Sequence, residues 1–151
     1  MNRQVQTIFC DDIRQEVSGK TSYIGVYSDK MMVPQLPAFL PRLCVSVSAI
    51  TPVNTPFREL AVHILKDDEV IANHKFDPSG IAVFTAAIEA IPQDERADRL
   101  QVVRSVFIFS PIQIDAPCTL QVQVDTEEEQ LRGMSLRIEQ GLLSATGMDL
   151  K

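Results

Sequence analysis

The sequence predicts an all-β protein: an antiparallel β-sandwich, immunoglobulin-like or C2-like, of about seven to nine strands. Three observations predict it. Apolar and polar residues alternate with a period of two from Leu43 to Ala49, and again from Cys118 to Val124. Short apolar runs are separated by polar turn clusters, such as Lys66-Asp67-Asp68-Glu69 and Asp125 to Gln130. Nine prolines against six glycines, with no low-complexity tract, indicate many short elements joined by rigid turns.

Taken in order, Val5 to Phe9 is the first strand, which Asp11-Asp12 would end or bend. Ser18-Gly19-Lys20 is a turn and Thr21 to Tyr27 the returning strand, although Ile13 to Val17 could instead form a helical turn. Pro34, Pro37 and Pro41 exclude a helix interior or a central strand. The apolar Met31, Met32, Leu36, Phe39 and Leu40 make this an extended segment pressed onto the body of the domain. Arg42 to Ile50 is a half-buried strand, with Leu43, Val45, Val47 and Ala49 on one face and Cys44, Ser46 and Ser48 on the other.

Phe57 to Phe76 predicts a hairpin turning at Asp67-Asp68, and Asp77-Pro78-Ser79-Gly80 a further turn. Ile81 to Ile91 is read as a strand, with AAIEAI as a possible helix start. Pro92 to Arg99 fits a short surface helix or a loop. Leu100 to Ser110, LQVVRSVFIFS, predicts a strand buried on much of both faces. A final hairpin turns Cys118, Leu120, Val122 and Val124 inward and returns through Met134, Leu136 and Ile138. One sandwich domain is expected over residues 1–140, with a loosely held tail at 141–151. Its core is expected from Leu43, Val45, Val47, Leu60, Val62, Ile64, Val106, Ile108, Leu120, Val122, Val124, Leu136 and Ile138. The alternative architecture is a partly open barrel with a helix near Gln93 to Arg99.

A net charge of −6 and the lack of any Lys/Arg run argue against a nucleic-acid partner. The scattered Cys10, Cys44 and Cys118 fit buried reduced thiols rather than a disulfide framework or a zinc site. No signal-peptide pattern and no stretch of about 20 apolar residues occurs, so a membrane role is not expected and a cytoplasmic setting is.

Chemistry-bearing patterns are sparse. Acidic pairs at predicted turns (Asp11-Asp12, Asp67-Asp68, Asp125 to Glu129) could supply oxygens to Ca²⁺ but lack EF-hand spacing, and they read as solvated turn formers. His63 and His74 would lie on the two arms of one hairpin, as possible cross-strand neighbours, with His63 pointing outward. Neither sits in a catalytic signature, and two ligands are too few for catalytic zinc. Ser18-Gly19-Lys20-Thr21 resembles the end of a phosphate-binding loop but lacks its upstream glycine. No catalytic, cofactor-binding or metal-binding residue is assigned. Asp11, Asp12, Arg14, Glu16 and Lys20 could form ion pairs that fix strand register, or a recognition surface with Tyr23 and Tyr27.

Phe9-Cys10-Asp11-Asp12-Ile13-Arg14, Gly19-Lys20 and Ile24-Gly25-Val26-Tyr27 resemble the CDDIR…GK…IGVY opening of a bacterial domain-of-unknown-function family. A proline-punctuated segment at Val33 to Leu43 and a hairpin at Leu60 to Phe76 extend the resemblance over most of the chain. It implies a bacterial or prophage cytoplasmic origin and brings no catalytic residues with it. The expected function is a non-catalytic protein-binding or scaffolding module, without cofactor, open to homo-oligomerisation. Its candidate interaction surface is Asp11, Asp12, Arg14, Tyr27, Met31, Met32 and Phe39. The alternative is a small enzyme, or a metal or small-ligand binder, built from the acidic loops and the two histidines.

Overall fold

A computed structural model describes residues 2–141. The expected tail at 141–151 lies, apart from Gly141, outside the described residues. Among the described residues, twelve strands form two facing sheets and a short ribbon. The first sheet contains β1 (Gln4–Gln15), β2 (Thr21–Tyr27), β5 (Leu43–Pro52) and β8 (Leu100–Phe109), in the order β2-β1-β5-β8. In the second, β3 (Lys30–Val33), β12 (Leu136–Gln140), β10 (Cys118–Thr126), β6 (Leu60–Lys66) and β7 (Glu69–Lys75) run in the order β3-β12-β10-β6-β7. The short β11 (Gln130–Arg132) also pairs with β10. Pairing is antiparallel except between β12 and β3. The ribbon joins β4 (Ala38–Leu40) to β9 (Ile112–Ile114).

The core lies between the sheets, where Phe9, Val45 and Val47 of one meet Val62, Ile64, Leu120, Val122 and Leu136 of the other. All the residues expected in the core are there except Val106 and Ile108, which are exposed. The strand count exceeds the expectation because β3, β4, β9 and β11 are short pieces that periodicity does not separate from loops. The proline-rich segment behaves as expected, with Leu36, Ala38 and Leu40 packed on the core and Phe39 turned outward.

The structure corrects four sequence readings. Residues 81–91 are not a strand, because Pro78–Glu89 forms helix α1. The Asp-Pro-Ser-Gly sequence is a helix start: the Gly80 amide donates to the Asp77 carboxylate at 2.8 Å, and Pro78 sits where its missing N–H costs nothing. Ile81 and Ile88, two turns apart, form the helix's buried contacts. Asp11-Asp12 do not end the first strand, since β1 continues to Gln15. The irregularity falls on β2, where Gly25 takes φ +68 opposite Asp11.

β5 and β8 exchange their expected environments. On β5 the polar face is also buried, with Cys44 and Ser46 0% and 2% exposed. The Tyr23 hydroxyl lies 3.4 Å from Ser46 Oγ, placing the far end of the β1–β2 hairpin over that face. β8, expected to be buried on both faces, alternates instead, with Leu100, Val102, Arg104, Val106 and Ile108 exposed.

Candidate functional site

Of the residues expected to form an interaction surface, Asp11, Asp12, Arg14 and Tyr27 come together on the β1–β2 hairpin. The Tyr27 hydroxyl donates to Asp11 Oδ1 at 2.5 Å. A Cβ on Gly25 would stand 2.3 Å from Asp11 Oδ2, so the glycine is what lets the carboxylate lie across β2. Asp12 is gripped from two sides, by Arg14 Nε at 3.3 Å and by Arg42 Nε, just ahead of β5, at 3.0 Å. The opposite charges therefore pair across to β5 as well as along β1.

Protonation follows from these contacts. The hydrogen bond from Arg14, with the Ile13 amide and the Arg42 charge, holds Asp12 below the usual carboxylate range. Burial first, then the Asp11 carboxylate, pushes the Tyr27 phenol well above its ordinary value. Behind them Cys10 and Cys44 face each other across β1 and β5, both fully buried. Burial and the neighbouring Cys44 raise the Cys10 thiol to about 11, so it is protonated and a poor nucleophile at neutral pH.

The remaining expected surface residues do not join this cluster. Met31 is 3% exposed and belongs to the core, because its strand β3 is paired in register with Ile138 of β12. Met31 is therefore withdrawn from the surface. Met32 is half-buried on the same strand, and Phe39, 66% exposed, stands on β4 in the separate ribbon.

The histidines do not meet. His63 pairs with Asn73 and His74 with Val62, so neighbouring parity places them on opposite faces of the sheet. His63 Nε2 lies 3.0 Å from Asp125 Oδ2, and Asp125 Oδ1 accepts from Gln123 and Gln130. His74 packs edge-on against Phe76 and borders a hollow between β7 and β8, which no carboxylate among the described residues lines. The acidic turns are used locally. Asp67 Oδ1 accepts the Thr119 amide, and Glu127 accepts the amides of Arg58 and Glu59 and an ion pair from buried Arg3. Among the described residues no three His, Cys, Asp or Glu side chains converge as a metal site. No helix among them is long and apolar enough to cross a membrane.

A second feature is the exposed face of β8, where the sequence predicts burial. β8 is the last strand of its sheet, and among the described residues no strand pairs with its outer edge. Its register to β5 runs unbroken from Leu43↔Phe109 to Pro52↔Leu100. Arg104 was the available signal: a charge at the parity of Val102 and Val106 marks that face as solvent-facing.

These features define a β-sandwich with a charge-paired hairpin and one long open edge. The chain belongs to a family of unknown function, DUF6941, whose model matches residues 6–139. No curated protein and no solved structure matches the chain.

Proposed function

We propose that this protein is a non-catalytic protein-binding or scaffolding module of the bacterial or prophage cytoplasm, which takes an extended partner strand on the β8 edge. The observation that supports this reading is the contrast among the sheet edges. Edge strands are commonly guarded by charge, bulges or shortness, because their unpaired backbone groups recruit other strands. β2 carries the positive-φ Gly25, β3 has four residues, and β7 carries Glu69 and Lys75 and pairs through a bulge. β8 has ten residues, no proline or glycine, and Arg104 as its one charge. Strand addition along such an edge would draw affinity from main-chain hydrogen bonds and selectivity from alternate side chains.

The test compares proteins captured by the wild type and by a Val102→Lys/Val106→Lys variant, whose substituted positions are 53% and 43% exposed and so tolerate lysine. A partner retained by the wild type and lost by the variant is expected. Identical capture by both would remove β8 as the docking edge.

A further inference from the structure

We infer that Cys10 and Cys44 form a redox clasp, joined by hydrogen peroxide in a reversible disulfide that locks the β1–β2 hairpin onto β5. The inference does not depend on the docking edge. Its first support is register. Cys10 and Cys44 are direct partners across antiparallel β1 and β5, so their side chains leave the same face of the sheet. Directly opposed residues of such strands stand about 4.5–5.5 Å apart at Cα, inside the range of about 4.4–6.8 Å that a disulfide spans. Both thiols are free, and they donate to adjacent carbonyls, Cys10 Sγ to Asp12 at 3.4 Å and Cys44 Sγ to Asp11 at 3.9 Å.

The second support is position. Cys10↔Cys44 is the last rung between β1 and β5, whereas β1 runs on to Gln15 and, among the described residues, pairs there with β2 alone. Past that rung the polar ties to β5 are the Asp12–Arg42 ion pair, with both side chains partly exposed, and the 3.4 Å contact of Tyr23 with Ser46. Such ties are weak. The rung is therefore the hinge on which the far end of the hairpin can swing, and a covalent bond there holds it shut.

The third is chemistry. In the closed hairpin both thiols are fully buried, and burial with the neighbouring Cys44 raises Cys10 to about 11, which keeps it protonated. Swinging the hairpin out removes that burial. One thiolate then attacks the peroxide O–O bond to give a sulfenic acid and hydroxide, and the second thiol displaces the sulfenic oxygen as water. In all, two thiols lose two electrons and two protons, and one peroxide becomes two waters. In a reducing setting such a bond is a transient, sensing one.

Peptide mass mapping tests the clasp on the reduced full chain, treated with hydrogen peroxide at neutral pH and then unfolded, alkylated and digested with trypsin. The peptides Gln4–Arg14 and Leu43–Arg58 are expected to be joined, with Cys118 alkylated, and dithiothreitol is expected to release them. Amide exchange of the far hairpin, from Asp11 to Tyr27, is expected to slow at least about tenfold on oxidation. Cys44→Ser is expected to show no slowing after the same treatment. Arg42→Gln, which removes a tie beyond the hinge, is expected to speed formation of the bond. Recovery of Cys10 and Cys44 alkylated or over-oxidised in place of the joined peptides overturns the inference. So does a disulfide that leaves hairpin exchange unchanged, or one that forms no faster in Arg42→Gln.

Discussion

Gly25→Ala tests whether the hairpin cluster is built as described. The backbone there has φ +68, which costs an L-residue about 1–2 kcal/mol. The new methyl would also stand 2.3 Å from Asp11 Oδ2 and 2.8 Å from Asp11 Cγ, well inside contact distance. The carboxylate must then swing aside, for roughly 0.5–1.5 kcal/mol of rotamer strain, and give up the Tyr27 hydroxyl. The total is about 1.5–3.5 kcal/mol, or about 3–14 °C in Tm for a chain of this size. The assay is urea unfolding of Gly25→Ala, Asp11→Ala and the double variant. With the carboxylate removed, the glycine substitution should cost less, about 1–2 kcal/mol of backbone strain plus a 3.1 Å contact with the Cβ that Asp11→Ala retains. A cost below about 0.5 kcal/mol, or an equal cost in both backgrounds, would refute the geometry at Asp11.

Other predictions follow from the same contacts. Arg3→Met removes the cation beside Glu127 and the donor to the Pro56 carbonyl, while Glu127 keeps the Arg58 and Glu59 amides and the Thr55 carbonyl keeps the Thr51 hydroxyl, and should destabilise by about 1–3 kcal/mol in chemical denaturation. Asp77→Ala removes the α1 cap and should cost about 1 kcal/mol by the same measurement. Although burial alone would raise the Glu127 pKa, the Arg58 and Glu59 amides and Arg3 lower it below the ordinary value. Asp12 and Asp77 are lowered too, by Arg14 and by Ser79 first. Folded pKa values below the unfolded ones mean stability that is present at neutral pH and lost as pH falls through the acid range below about 4. Denaturation midpoints should therefore drop on acidification, and less steeply for Glu127→Gln. The Cys10 thiol, raised from 9.0 to about 11, has the opposite sign: its contribution is lost as pH rises through that interval. Thiol titration of the native protein at neutral pH should leave Cys10 and Cys44 unreacted, with both appearing on unfolding.

The legible part of the fold was the part in which one face meets the core and the other meets water. Leu60, Val62 and Ile64, and Leu120, Val122 and Val124, alternate cleanly, and the structure buries each of them. Asp67-Asp68 was readable because two adjacent positive φ values, +46 and +72, are what a two-residue hairpin turn requires and aspartate tolerates. Position within a sheet was not legible. Val106 and Ile108 carry the composition of a central strand, but β8 ends its sheet, and no local pattern records which strand comes last. The Tyr23 hydroxyl that meets Ser46 comes from another strand, a contact without local trace.

Asp-Pro-Ser-Gly gives the same signal for a turn as for a helix cap, and the following apolar run of Ile, Val and Phe favoured the wrong continuation. For the candidate site, the crowding of charge at Asp11 to Arg14 was visible, whereas Arg42, which completes the grip on Asp12, is distant in sequence. Met31 was misplaced because an apolar residue beside a proline-rich segment reads equally as surface patch or core. Only its pairing beside Ile138 decides between them.

Amide hydrogen exchange along Leu100–Phe109 tests the docking edge most directly, measured with and without a captured partner. Amides on the outer edge of β8 should gain protection while those of β2 and β7 stay unchanged. Protection that rises equally at all three edges, or at none, would contradict the account.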